Sequence, residues 1–378
     1  MVNGTSHGSG RDLARNASHD SVGVSTSNDT YDHALGALLG LAIGDALGMP
    51  TQSMSHERIS LEYGSTPIRS FVDASPNQPI APNMKAGSVT DDTEQALLLA
   101  GQLMDGDGDL DIRQYAYALL NWEEDMKARG SLDLLGPSTK RALERFQAGM
   151  DVEQTGILGT TNGGAMRACP IGIANRPGPH LAETARRSSI VTHNTEQGIE
   201  STMLVAAAVS YGIDGADPEE AMLMACNYVA GYLAMSRFEG HALGHWSPKA
   251  SVIARTRWAI NWARNHTGDD AVDLYDHDMF GDQLRALIGT SVEANESVPA
   301  AFAIATRYAQ RPYDALCVAA NIGGDTDTIA AMTGAILGAA HGASAFPESL
   351  ATTVQDVNDL DLATTADRLL ALSGRNDA

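Results

Sequence analysis

The sequence predicts an all-α fold, a compact multi-helix domain, on three observations. Ala, Leu, Met and Ile recur at three- and four-residue spacing over most of the chain beyond Tyr31, the pattern of amphipathic and buried helices. Strand-length runs of Val, Ile and Thr alternating with polar residues are nearly absent. Aromatic side chains, which strands favour, make up only 5% of the chain.

Taken in order, residues 1–30 are rich in Ser, Gly, Asn, Asp and Thr, with too few large apolar side chains to offset the entropy of ordering; they are expected to form a disordered tail. Residues 31–375 are expected to form a single domain, because no shift in composition divides them. The apolar run Leu35–Met49 reads as a core helix, too short to span a bilayer and interrupted by Asp45. Helical spacing continues in Thr93–Met104, Ile112–Trp122, Ser201–Tyr211, Pro218–Met235 and Val298–Tyr308. Gly, Pro, Asp and Asn mark connections at Pro76–Gly87, Asp105–Gly108, Gly156–Gly164 and Gly212–Asp217. Small residues in Ala206–Ser210 and Ala330–Gly342 let helix backbones approach closely.

Composition narrows the function. A chain of 378 residues with 43% hydrophobic content has ample material for a core. A net charge of -22 argues against a nucleic-acid partner, which would be bound through phosphates, and against an anionic membrane surface. Cys169, Cys226 and Cys317 are odd in number, widely spaced and without a CxxC pair, so a reducing compartment is the expectation. No cationic stretch followed by an apolar one opens the sequence, and a cytoplasmic location is expected on that basis.

Two aspartate clusters stand out, each entering an Ala-rich helical segment from a loop: Thr90-Asp91-Asp92-Thr93-Glu94 and Gly323-Gly324-Asp325-Thr326-Asp327-Thr328. Carboxylate and hydroxyl oxygens at adjacent and i, i+2 spacing suit a hard divalent cation, which takes oxygen ligands. Capping is the better account of the first cluster taken alone, since Asp91 with Glu94 three residues later resembles a capping box. The second is harder to reduce to capping, because two glycines let the chain turn sharply and bring both carboxylates to one point.

The segments Gly36-Ala37-Leu38-Leu39-Gly40-Leu41-Ala42-Ile43-Gly44-Asp45-Ala46-Leu47-Gly48, Val89-Thr90-Asp91-Asp92-Thr93, Asn162-Gly163-Gly164-Ala165-Met166-Arg167 and Gly323-Gly324-Asp325-Thr326-Asp327-Thr328 together resemble the ordered motifs of the ADP-ribosylglycohydrolase family, and Thr192-His193 fits the same order. The resemblance runs from about residue 33 to 345. It implies an all-α fold around a dinuclear Mg²⁺ or Mn²⁺ site, with Thr90, Asp91, Asp92, Asp325, Asp327 and Thr328 as metal ligands. It also implies hydrolysis at the anomeric carbon of an ADP-ribosyl group on a protein or a small molecule, with Asp92 and Asp325 close to the chemistry. Gln52, Asn162, Gly163, Gly164, His193 and Gly324 fall where relatives line the ADP-ribose cleft. A packed or capping role for His193, and an ordinary turn for 162–164, remain alternatives. Asp45, in an apolar helix, reads as structural support for the ligands, with a direct ligand role as the alternative.

Two positions depart from the family pattern. Many relatives carry a glutamate seven residues beyond the aspartate matching Asp45, where this chain has Gln52. Glutamine accepts a hydrogen bond but is neither a base nor a charged ligand, which keeps a small-molecule N-ribosyl hydrolase open as the alternative substrate class. Asp133 falls near a catalytic aspartate of relatives, although its spacing to Gly136 is one residue longer. Some relatives resembling the family are non-catalytic lens crystallins, a third reading that the two intact aspartate clusters oppose.

Overall fold

The computed structural model describes Met1 and residues 26–129, 135–240, 243–266 and 279–375. Among these the architecture is helical throughout, with isolated β-bridges and no ladder. Six helices position the site: α1 (Thr26–Gly48), α2 (Asp91–Asp105), α3 (Pro179–His193), α4 (Glu196–Ile213), α5 (Ala294–Arg307) and α6 (Thr326–His341). The helical segments read from sequence at residues 93–104 and 201–211 fall in α2 and α4, and that at 298–308 runs one residue past the end of α5. Those at 112–122 and 218–235 fall in helices Ile112–Ala128 and Pro218–Phe238. The expected tail boundary is corrected, since α1 begins at Thr26, inside the stretch assigned to residues 1–30. Thr, Ser, Asn and Asp are weak helix formers, so composition concealed this first turn.

The centre of the fold is the α1–α6 pair. Gly36, Gly40, Gly44 and Gly48, four residues apart and so on one face of α1, meet α6 with no side chain between. A Cβ on Gly40 would lie 2.1 Å from the Gly334 carbonyl oxygen, and one on Gly44 would lie 2.2 Å from that of Ala330. A Cβ on Gly48 would lie 2.4 Å from the Asp327 Cα, so the seam runs up to the second aspartate cluster. Around this pair, α4, α5 and helix Pro312–Asn321 pack on α6, while Glu348–Asn358 and Leu362–Leu372 cover α1.

The stretch from Asp29 to Thr51 is long and apolar enough to cross a bilayer, longer than the sequence run suggested, but 94% of its apolar window is buried inside the fold. It is the core helix that the sequence indicated. Cys169, Cys226 and Cys317 are free and buried.

Candidate metal centre and cleft

The first half of the site is the N-terminus of α2, tied to α1 by one carboxylate. Asp45 accepts from the backbone N–H groups of Thr90 (2.9 Å) and Thr93 (3.1 Å) and from their hydroxyls (2.8 and 2.6 Å). Four donors fully engage this carboxylate, so its part is to hold the loop entering α2. Thr90 is the N-cap, its hydroxyl oxygen accepting from the Asp92 N–H. The capping-box reading of Asp91 and Glu94 is therefore corrected: Glu94 instead accepts from the Trp122 indole at 2.7 Å and pairs with Arg129 at 2.8 Å.

The second half is a sharp turn into α6. Gly323 and Gly324 have φ of +85° and +86°, a conformation only glycine adopts without strain. The turn is pinned by backbone bonds from Ser53 N–H to the Gly324 carbonyl (2.7 Å), Gly324 N–H to the Met54 carbonyl (2.8 Å) and Asp325 N–H to the Thr290 carbonyl (2.7 Å). The Asn162 amide donates to Asp325 (2.5 Å) and to the Ser297 hydroxyl (2.9 Å). The Thr328 hydroxyl donates across to Asp92 at 3.3 Å, joining the two halves.

Carboxylate oxygens of Asp45, Asp92 and Asp327 come within 4.8 Å of one another. Together with Asp91 and Asp325 they are buried, and no Lys or Arg among the described residues pairs with any of the five. Burial pushes the Asp45 and Asp325 carboxyls up to about 6. Burial, reinforced by the other carboxylates, raises Asp91, Asp92 and Asp327 well above the usual carboxylate range. Asp92 Oδ1 and Asp327 Oδ1 are buried without a hydrogen-bond partner. An all-oxygen donor set with converging, unpartnered carboxylate oxygens and no protein cation fits a hard divalent metal ion. Asp45 belongs to this cluster by distance, but the oxygens free to bind lie on Asp92 and Asp327.

A cavity of about 120 Å³ opens onto this cluster. It is lined by Asp91, Asp325, Asp327 and Thr328 together with Gln52, Asn162 and Gly163. Gln52 Nε2 is buried without a partner, while the Gln52 carbonyl is held by Gln78 at 3.2 Å. His193, expected at the cleft, lies fully buried behind its wall. Its ring nitrogens meet the hydroxyls of Thr161 (2.9 Å) and Thr192 (2.7 Å), and burial, then the charge of Arg167, keeps it neutral. Gly164 packs on Thr202 and Gly324 on Thr290, so both serve close packing behind the surface. Asp133 lies outside the described residues. A larger hollow of about 840 Å³, near Arg186, Tyr228 and Tyr232, has no such carboxylate cluster.

Met166, within the Asn162–Arg167 motif, also lines the cleft, and sequence reasoning missed Thr139 and Thr161, which line it too. Thr161 adjoins the Asn162–Arg167 motif, whereas Thr139 comes from a distant segment whose meeting with it no local pattern announces. It also missed Gln95, whose amide donates to Asp91 at 3.2 Å. That contact had a signal, since Gln95 sits one helical turn after Asp91.

Residues 26–378 match the family model for ADP-ribosylglycohydrolase. An uncharacterised Escherichia coli protein, YegU, is 31% identical over 87% of this chain and 94% of its own length. ADP-ribosylarginine hydrolase Tri1 of Pseudomonas putida is 27% identical over 85% of this chain and 74% of its own. A solved structure described as an ADP-ribosylglycohydrolase-related protein complex superposes with a TM-score of 0.62 at 25% identity, covering 92% of this chain and 99% of the other. With its helical fold and its buried aspartate cluster, the chain belongs to the ADP-ribosylglycohydrolase family.

Proposed function

We propose that this protein is a Mg²⁺- or Mn²⁺-dependent hydrolase, holding two ions, that cleaves the glycosidic bond at the anomeric carbon of an ADP-ribosyl group. The observation that carries the reading is the pair of unpartnered oxygens, Asp92 Oδ1 and Asp327 Oδ1, inside a buried set of five carboxylates. Asp91, Asp92, Asp325, Asp327, Thr90 and Thr328 would hold the ions. Bound divalent ions supply Lewis acidity that activates water and polarises sugar oxygens. The cavity of about 120 Å³ has room for a sugar-sized group, leaving the rest of a larger substrate outside it. Asn162 fixes Asp325 in place, and the carboxylates around the cavity stabilise positive charge developing on the sugar in an oxocarbenium-like transition state. Gln52 offers an N–H to an oxygen of the substrate, since no protein acceptor meets it.

The substrate is an ADP-ribosylated protein or a small ADP-ribose derivative, a reading supported by the names of hydrolases to which the chain is similar. Because Gln52 is neutral, a simple nucleoside is the second reading. The test is product release from ADP-ribosyl-arginine, ADP-ribosyl-serine, O-acetyl-ADP-ribose and nucleosides, with Mg²⁺ or Mn²⁺ and with chelator. ADP-ribose released only with metal, and not by Asp325→Ala, supports the proposal. Free base released from nucleosides alone replaces it with the second reading, and no turnover by metal-loaded protein removes both.

A further inference from the structure

Arg167 is a fully buried guanidinium with no carboxylate against it among the described residues. Its amino groups donate to Gln95 Oε1 (2.8 Å), the Thr192 hydroxyl (2.5 Å) and the Ser188 carbonyl (3.4 Å). Its Nε has no partner, and its charge lies 5.4 Å from the centre of the Tyr115 ring. An interior cation held by neutral groups alone is costly, so its retention calls for an account in terms of the charge it faces.

Gln95 connects it to the aspartates. A guanidinium only donates, so it fixes which way the Gln95 amide points: the carbonyl must face Arg167 and the NH₂ must face Asp91 Oδ2, at 3.2 Å. We propose that Arg167 and Gln95 form a positioning relay that holds Asp91 in its cation-binding orientation by occupying Oδ2 and leaving Oδ1 for the cleft. Direct contact between Arg167 and Asp91 would pair off the carboxylate's charge and compete with a bound cation. The intervening amide supplies the hydrogen bond while keeping the positive group one side chain away. Like the ordering of metal ligands by groups behind them, this acts on affinity and geometry without touching the ion.

The inference rests on the cation-site reading, and Mn²⁺ titration calorimetry on the chelator-stripped full chain separates the two. Wild-type protein that takes up no Mn²⁺ overturns both. If it binds, Gln95→Met, which keeps volume and helix propensity, is expected to remain folded by circular dichroism and to weaken Mn²⁺ binding by about 10- to 100-fold. A folded Gln95→Met protein with wild-type affinity assigns Gln95 to packing and overturns the relay alone. Should Gln95→Met not fold, Arg167→Lys takes its place, keeping the charge but losing the planar fork. The relay then requires Mn²⁺ affinity to fall by at least about three-fold, and an unchanged value overturns it.

Discussion

The two aspartate clusters look alike in sequence, a short acidic run entering a helix, but they are built differently. The α2 cluster is held by side chains, with Asp45 gathering four donors from Thr90 and Thr93. The α6 cluster is held by backbone, through two left-handed glycines and three main-chain bonds to neighbouring loops. The lesson is that converging carboxylates are set in place through a buried charge in one half and through chain conformation in the other. The halves should therefore fail in different ways.

The largest effect is expected where they converge. Asp327→Asn takes away an unpartnered, converging oxygen, and metal-dependent turnover should fall by about 10³-fold or more in a product-release assay, while the fold persists. Asp45→Asn should break the first half only. An amide cannot accept all four donors and places its own NH₂ among them, so metal affinity should drop about 10- to 100-fold, read by Mn²⁺ titration, with a lower thermal midpoint. Gly44→Ala attacks the seam beneath both halves; overpacking of this kind costs about 1–3 kcal/mol, or more where only backbone is available to yield, measurable by denaturant unfolding.

A pH experiment sharpens the comparison without mutation. Asp45 in the first half and Asp325 in the second both have carboxyls raised to about 6 by burial, against an ordinary 3.8. The folded protein thus keeps protons that the unfolded chain releases, and this contribution to stability is full below about pH 4 and lost as pH rises through about 6. Chelator-treated protein should show its thermal midpoint contribution from these groups fall over that window, and Mg²⁺ or Mn²⁺ should raise the midpoint more at pH 7 than at pH 5. A midpoint equally responsive to metal at both values would contradict the site. The smallest effect is expected of Gln52→Glu, which adds a charge beside the α6 cluster; Mn²⁺ should bind a few-fold more tightly, by about 1 kcal/mol or less.

Much of this was legible in the sequence. Helical spacing located the interior of α2, α4 and α5, and the doubled aspartate pattern drew attention to Asp92 and Asp327, two of the three residues that converge. The roles of individual side chains were harder to read. Asp91 was open to a capping role that Thr90 fills, because adjacent polar residues at a helix start are interchangeable as letters and distinct only in backbone geometry. His193 fits the family order but lies behind the cleft, since order along a chain does not say which face of a wall a residue occupies. The contact of Arg167 with Gln95 went unnoticed because a buried polar contact between distant segments has no periodic signature.

The seam between α1 and α6 has a consequence for how the site tolerates change. Side-chain interfaces absorb substitutions by switching rotamers, but two backbones in contact have no such slack. The gap between Asp45 and Asp327 is accordingly set by main-chain dimensions, like the span of a caliper whose jaws are fixed to one rigid frame. Outer helices are free to drift in sequence without altering that span, whereas a single methyl group at one of the four seam glycines acts as a wedge whose displacement reaches the aspartates.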